Sequence, residues 1–396
     1  MSLPRLRLAK NEDKRLRAGH LWIYSNEIDT QATPLKSLQP GQHVLIENAQ
    51  EKVLGTAYVN PHSLICARLL TRDETSFDRS MLVHRLNIAL GLRQAFFREP
   101  YYRLVYGESD LLPGLVVDRF GDHLSVQLNT AGMEAMREDI IAALIKVLKP
   151  ASIVFRNDSS MRQLEGLPVV TENVYGEPPE AVQLIENGVK FLAPMIAGQK
   201  TGWFYDMRPN RAWLRDLVPG KRVLDVFSYV GSFGIAAGAF GASEVWCVDA
   251  SELALDFAEQ NAELNGLADR FTAVQGDAFE ALKALKEDDQ RFDVIIVDPP
   301  AFIKKKKDHA EGLKAYRRIN EMAMRLLHKD GYLLSGSCSM HLPREDLLEV
   351  VRASARHLDR HAQTLAEGMQ GVDHPVHPAI PETRYLKAVL SRIVLT

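Results

Sequence analysis

The hydrophobic pattern falls into three regimes. Up to about residue 72 the apolar residues come in short runs, Gln42 to Glu47, Val53 to Val59 and Ser63 to Leu70, the first entered through Pro40-Gly41. Short runs between turn residues predict strands, and hence a small β-rich domain over residues 1–72. From 73 to 180 helical and strand periods mix. Ser80 to Phe97 spaces Leu82, Leu86, Ala89, Leu90, Arg93, Phe96 and Phe97 along one mostly apolar face, and Met133 to Leu148 does so with Met136, Ile140, Ala143, Leu144 and Val147. Tyr101 to Tyr106, Leu115 to Phe120, His123 to Leu128 and Ser152 to Arg156 read as strands, so this region predicts a compact α+β module.

The third regime, 181–396, opens with a hairpin over Val182 to Leu192, turned at Asn187-Gly188. Helices (Glu252 to Leu264, Glu311 to Leu327, 343–357) then alternate with strands (Ser243 to Val248, Phe292 to Val297, Tyr332 to Ser335), and Tyr385 to Leu395 closes the chain. The run Phe292-Asp293-Val294-Ile295-Ile296-Val297 is almost uniformly apolar, as a strand covered on both faces of a parallel sheet must be.

Four strands of this third region deliver an acid at or near their carboxyl ends: Asp225, Asp249, Asp277 and Asp298. Open parallel sheets bind ligands at that edge. Between Asp225 and the next helix lies a small-residue loop, Phe227-Ser228-Tyr229-Val230-Gly231, of the kind that lets backbone approach a nucleotide. Asp249 follows Asp225 by 24 positions, near the spacing that brings a carboxylate to ribose hydroxyls. The loop lacks G-x-G-x-x-G, which argues against a dinucleotide-dependent dehydrogenase. The bland alternative is that some of these acids only cap the following helix.

Composition narrows the picture. A hydrophobic content of 46% with 25% charged residues is that of an ordinary globular protein, and no apolar run approaches the ~20 residues of a membrane span. The start, Met1-Ser2-Leu3-Pro4-Arg5, does not read as a signal sequence, so a cytoplasmic location is expected, with no membrane partner. Three widely spaced cysteines argue against a disulfide framework. The net charge of −3 leaves any nucleic-acid binding to local patches. One such patch is residues 5–17, with six basic residues (among them Arg5, Arg7, Lys14 and Arg15) against two acids, followed by His20-Leu21-Trp22-Ile23-Tyr24. Cations interleaved with aromatics suit phosphates and stacked bases; a solvated helix face beside a core Trp is the alternative. The proline-punctuated stretch His374 to Pro381 holds several His, but no matching ligand pattern accompanies it, and no metal is expected.

The acid series closing on D-P-P-x-F resembles the class I S-adenosylmethionine-dependent methyltransferases. The first region, with its basic segment, H-x-W-I-Y and P-G, resembles a PUA domain. The long motif G-E-S-D-x-L-P-G-L-x-V-D-R-F-G at Gly107 to Gly121 resembles bacterial 23S rRNA (cytosine-5)-methyltransferases built from a PUA domain, a central module and a catalytic domain. The likeness continues through Gly198-Gln199-Lys200-Thr201-Gly202-Trp203-Phe204-Tyr205-Asp206-x-Arg208 and F-S-Y-x-G-x-F-G, and covers nearly the whole chain.

This resemblance implies a multidomain α/β protein: a PUA-like domain (1–72), a central α+β module (73–180) and a Rossmann-like methyltransferase domain with an N-terminal hairpin (181–396). It implies S-adenosylmethionine as cofactor and ribosomal RNA as partner, and leaves room for a homodimer. By resemblance the cofactor falls to Lys200, Thr201, Tyr205, Asp206, Arg208, Asp225, Phe227, Ser228, Gly231, Asp249, Asp277 and Asp298. Pro299 and Phe302 would face the base.

D-P-P-x-F also occurs in enzymes that methylate exocyclic amines, and a non-catalytic RNA-binding assembly factor is a third reading. Cys338, in S-C-S at the mouth of the fifth strand, favours carbon 5 of cytosine. That carbon needs a thiolate added at carbon 6 before it can attack a methyl sulfonium. Asp298 would then hold the cytosine edge. Many enzymes of this chemistry carry a second Cys in the fourth-strand motif; Asp298-Pro299-Pro300 has none. Cys66 and Cys247, inside apolar strands, read as core residues.

Overall fold

The computed structural model describes residues 3–395, which divide into two compact units. The first takes the chain through Val182, with Pro194–Tyr205 and Val372–Thr383; the second takes Gln183–Ala193, Asp206–Gly371 and the chain from Arg384.

In the first unit, β1 (Arg5–Arg7), β2 (Trp22–Tyr24), β3 (His43–Glu47), β4 (Val53–Val59) and β5 (Ile65–Thr71) form a sheet in the order β1-β3-β4-β5-β2. The basic stretch is therefore partly strand, with only one helical turn, α1 (Lys14–Arg17). Leu6, Leu8 and Leu16 anchor it in the core. Much of its charge is already matched. Glu47 accepts from Arg5 Nη1 (2.9 Å) and Arg7 Nε (2.7 Å), Glu51 accepts from Arg7 Nη2 (2.8 Å), and Glu27 accepts from Arg15 Nη2 (2.6 Å). Lys14 is exposed.

A second sheet of this unit contains β6 (Tyr101–Tyr106), β7 (Leu115–Phe120), β8 (His123–Leu128), β9 (Ser152–Asn157) and β10 (Val170–Gly176), in the order β10-β9-β8-β7-β6. Helix α2 (Arg79–Phe96) shares its core through Leu82, Leu86 and Ala89. The helix expected over 133–148 is two, α3 (Ala131–Ala135) and α4 (Arg137–Leu148), broken at Met136 (φ −97°, ψ 11°). Thr130 caps α3 by accepting from Met133 N, which starts it earlier than periodicity suggests. Strand β10, largely polar at the sheet edge, had no apolar run to announce it, and the short α5 (Ser160–Leu164) had none either. Buried polar contacts join the two sheets. The Tyr58 hydroxyl meets Pro113 O (2.9 Å) and Thr130 Oγ1 (3.0 Å), while Glu165 accepts from Asn60 Nδ2 (2.8 Å) and Arg68 Nη1 (3.0 Å).

The second unit opens within the hairpin of β11 (Ala181–Glu186) and β12 (Val189–Pro194), of which it takes Gln183–Ala193. Its turn residues Asn187 (φ 53°) and Gly188 (φ 81°) both take the left-handed conformation that a two-residue I′ turn requires. After α6 (Arg208–Ala212) come β13 (Arg222–Val226), α7 (Ser232–Ala239), β14 (Glu244–Asp249), α8 (Glu252–Leu264), β15 (Phe271–Gln275) and α9 (Ala278–Glu287). The chain continues with β16 (Phe292–Val297), α10 (His309–Leu326), β17 (Leu327–Ser337), α11 (Arg344–His357), β18 (Arg360–Gly368) and β19 (Lys387–Leu395).

These strands form one sheet in the order β15-β14-β13-β16-β17-β19-β18. The first five are parallel, and β19 inserts antiparallel between β17 and β18. Winding reverses at β13, whose neighbours β14 and β16 lie on either side, so the carboxyl edge of β13 is a topological switch point. Two departures from expectation occur here. β18 is a polar edge strand without a hydrophobic signal. The fifth strand begins at Leu327 rather than Tyr332, because Leu327 pairs with Phe292 and residues 328–330 bulge out before Gly331 meets Ile393 of β19 and Tyr332 meets Val294.

Candidate active site

The site grows from the end of β13. Asp225 is fully buried; its Oδ2 accepts the Gly234 N–H at 2.8 Å, and its Oδ1 has no hydrogen-bond partner among the described residues. Burial pushes its carboxyl up to about 7, with the nearby Asp249 charge adding to the rise and the Gly234 N–H and Arg211 opposing it. The following loop is wound tightly. Phe227 (φ 64°) and Tyr229 (φ 52°) take left-handed backbone that side chains rarely adopt, and Gly231 (φ 77°) completes the turn into α7. Ser228 N holds to Val248 O (3.0 Å), and Tyr229 N to Asp249 Oδ2 (2.8 Å).

Asp249, half-buried at the end of β14, uses Oδ2 for Tyr229 and Oδ1 for Ser251 N (2.9 Å). Each oxygen retains a second lone-pair site. Asp277 is exposed, and its Oδ1 caps α9 by accepting from Phe279 N (2.9 Å) and Glu280 N (3.3 Å), the helix-capping role foreseen as the alternative. Asp206 accepts from the Tyr385 hydroxyl and from Met207 N (3.0 Å). Arg208 Nε reaches Glu186 (3.3 Å), the carboxylate that Arg211 also holds at 2.5 Å. Lys200, Thr201 and Tyr205 belong to the first unit. There Lys200 Nζ sits 4.8 Å over the Phe204 ring, Thr201 is buried, and the Tyr205 hydroxyl donates to Arg119 O (2.9 Å).

At the next two strand ends a second group assembles. Asp298 follows β16, and its carboxylate lies against Gly336, where an added Cβ would fall 2.7 Å from Asp298 Oδ1. Pro299 is buried. Phe302 packs among Tyr316 (ring centroids 4.9 Å apart), Phe227 and Phe279 (6.3 Å each), so the loop after β13 and the loop after β16 meet through aromatic edges. Lys304 to Lys307, just beyond, are exposed.

Cys338 is half-buried at the end of β17, whereas Cys66 and Cys247 are fully buried, with thiols that burial pushes up, Cys66 to about 12. The backbone around Cys338 is clamped. The Tyr316 hydroxyl bridges Ser337 Oγ and Ser339 Oγ at 2.8 Å each; Ile303 N donates to Ser339 Oγ (3.3 Å), and Ser339 N to Ser337 Oγ (3.1 Å). Sequence reading missed Tyr316, Phe279 and Lys387. Lys387 was visible only as a lone cation at the head of the apolar run Ala388-Val389-Leu390. Its Nζ donates to Ser339 O (2.6 Å) and Tyr385 O (2.8 Å). Among the described residues, no group of three or more His, Cys, Asp or Glu is placed to hold a metal ion, and no helix is long and apolar enough to cross a membrane.

Residues 161–392 match the S-adenosylmethionine-dependent methyltransferase family, and residues 6–72 match a PUA-like domain. A solved methyltransferase-like structure holding S-adenosylhomocysteine, 21% identical, covers 98% of this chain and 100% of its own with a TM-score of 0.84, a likeness of fold. With four acids at the parallel strand ends and the wound loop after β13, these findings define an S-adenosylmethionine-dependent methyltransferase. At finer grain, the chain is 37% identical to the ribosomal RNA large subunit methyltransferase I of Erwinia tasmaniensis and 36% identical to that of Yersinia pseudotuberculosis. Each comparison covers 98% of this chain and 99% of the relative. The chain belongs to the ribosomal RNA large subunit methyltransferase I family.

The buried Asp225 has a measurable consequence. A carboxyl whose pKa is raised on folding binds its proton more tightly in the native state, so its contribution is fully present below about 3.8 and is lost as pH rises through about 7. Asp225→Asn lacks that loss. Without ligand, its melting temperature relative to wild type should climb between pH 4 and pH 7 and level off above. A difference that stays constant with pH would show that Asp225 titrates as an ordinary carboxylate.

Proposed function

We propose that the protein transfers a methyl group from S-adenosylmethionine to carbon 5 of a cytosine in 23S ribosomal RNA, with Cys338 as covalent nucleophile, in the bacterial cytoplasm. The name shared by its full-length relatives, ribosomal RNA large subunit methyltransferase I, supports an RNA of the large subunit as substrate. The single observation that carries the carbon-5 reading is the placement of Cys338. It is the half-buried cysteine of the three, held at a parallel strand end with its flanking serines clamped and Asp298 packed against Gly336 two residues before it.

The residues suit the cofactor. Asp249, which keeps a lone pair on each oxygen, would hold the ribose hydroxyls; Asp277, with Oδ2 outside its helix cap, would serve the adenine side; Asp225, Phe227, Ser228 and Gly231, in the wound loop after β13, would hold the remainder, with Asp206 and Arg208 of the same unit. S-adenosylmethionine, when bound, supplies an electrophilic methyl. The chain's own chemistry is then addition. The Cys338 thiolate bonds to carbon 6 and raises electron density at carbon 5, while Asp298 holds the cytosine edge in a site where preorganised charge counts for more than in water. Pro299 and Phe302 shape the base-facing wall.

Cys338→Ala should abolish methyl transfer to rRNA isolated from a strain lacking this protein, yet bind S-adenosylhomocysteine with unchanged affinity by calorimetry. Near wild-type transfer by the alanine variant would contradict the carbon-5 route and turn the assignment to an exocyclic amine. For RNA capture, Arg5, Arg7, Lys14 and Arg15 are assigned to phosphates, although Glu47, Glu51 and Glu27 share the charge of the three arginines. Changing all four to Gln should weaken binding and flatten the salt dependence, by about 0.7 in log–log slope for each single-strand phosphate that is no longer neutralised. Unchanged affinity and slope would remove this patch from the RNA-binding surface.

A further inference from the structure

A covalent route through Cys338 leaves one proton without an acceptor. After sulfur adds at carbon 6 and carbon 5 takes the methyl, carbon 5 carries both a methyl and a hydrogen. The sulfur can leave only when that hydrogen departs as a proton and its electron pair forms the carbon 5–carbon 6 double bond. Carbon 5 adjoins the carbon bonded to sulfur, so the acceptor must stand within a few ångströms of Cys338. No second cysteine in Asp298-Pro299-Pro300 is available to assist.

Several polar groups surround the Cys338 loop within the second unit. Asp298 is given to the cytosine edge. The Tyr316 hydroxyl is engaged by both Ser337 and Ser339, and burial raises its pKa, which keeps the phenol protonated and unable to accept the proton. Asp206 is tied to the Tyr385 hydroxyl. Lys387 remains. It lies on β19 directly opposite Ser337, the residue before Cys338, and its Nζ donates to Ser339 O at 2.6 Å, the residue after Cys338, and to Tyr385 O at 2.8 Å. A neutral amine has two hydrogens and one lone pair. Both hydrogens have carbonyl acceptors here, which leaves the lone pair as the free valence.

We propose that Lys387 is the general base that takes the carbon-5 proton from the methylated adduct and so releases Cys338. This assignment rests on the Cys338 reading above. Burial pushes the Lys387 amine down to about 8, with the Cys338 sulfur favouring the charged form in opposition. A base poised near the working pH is what proton abstraction requires. The steps balance: the sulfur–carbon 6 and carbon 5–methyl bonds form as the sulfonium–methyl bond breaks. The carbon 5–hydrogen bond then breaks toward Lys387 Nζ, its electrons make the double bond, and the carbon 6–sulfur pair returns to Cys338 as thiolate. The proton passes from the ammonium to solvent.

The test uses the full-length chain, unsubstituted 23S rRNA fragments from a strain lacking the protein, and methyl-labelled S-adenosylmethionine. Lys387→Met should transfer one methyl per enzyme and then stall. The label should stay with a protein–RNA adduct on a denaturing gel, multiple-turnover rates should fall about 10²–10⁴-fold, and added methylamine should speed release. Cys338→Ala/Lys387→Met should form no adduct. Release of methylated RNA by Lys387→Met at the wild-type rate would overturn the proposal, as would loss of methyl transfer with no adduct formed. Methylation by Cys338→Ala alone would instead strike the underlying reading, so the two failures are told apart.

Discussion

The approach of α7 to the sheet is the contact on which the catalytic unit depends. An added Cβ on Gly234 would lie 2.6 Å from Cys247 Sγ and 3.0 Å from Val245 Cγ1, so the helix start rests directly on β14. At that distance the Gly234 N–H can reach Asp225, which is otherwise buried at the end of β13. A buried carboxyl with one oxygen unpartnered is costly, and the close helix is what offsets part of that cost. The same closeness leaves only a short path between β13 and α7. The left-handed turns at Phe227 and Tyr229 follow from it, and so does the presentation of Tyr229 N–H to Asp249.

A second constraint governs the neighbouring strand ends. Gly312 of α10 has no room for a side chain, since a Cβ there would meet Ile303 Cγ1 at 2.2 Å. This close seat brings α10 onto the loop after β16 and puts Tyr316, one turn further on, under Ser337 and Ser339. Three otherwise separate pieces, the D-P-P-A-F-I loop, α10 and the S-C-S turn, thus share one buried hydrogen-bonded junction. A satisfied buried network of this kind rigidifies its surroundings. It holds the Cys338 backbone, and the residue as a whole stays half-buried.

What was legible in the sequence was what had a strong period or a strong turn. The strand from Phe292 to Val297, the helix from Glu252 to Leu264 and the Asn187-Gly188 hairpin appear as read, because covered strands are continuously apolar and I′ turns need left-handed residues. The edge strands β10 and β18 were silent, since half their residues face solvent and carry polar side chains. β1 and β2 were hidden by length, and the basic residues on and after β1 disguised it as a surface patch while Glu47 and Glu27 waited tens or a dozen positions away. Ion pairs of that kind have no local signature. The same holds for Lys387, whose significance lies in facing Ser337 across a strand pairing some fifty residues long in sequence.

The claim that Cys338 performs covalent chemistry beside Asp298 is tested most directly by locating the bond. Wild-type protein would be incubated with S-adenosylmethionine and 23S rRNA fragments carrying 5-fluorocytosine, digested, and the RNA-bound peptide sequenced by mass spectrometry. Fluorine at carbon 5 cannot leave as a proton does, so the adduct should persist. The account predicts one cross-linked residue, Cys338, bonded to a methylated fluorocytosine. Attachment through Cys66 or Cys247, or the appearance of methylated amine with no adduct, would contradict it.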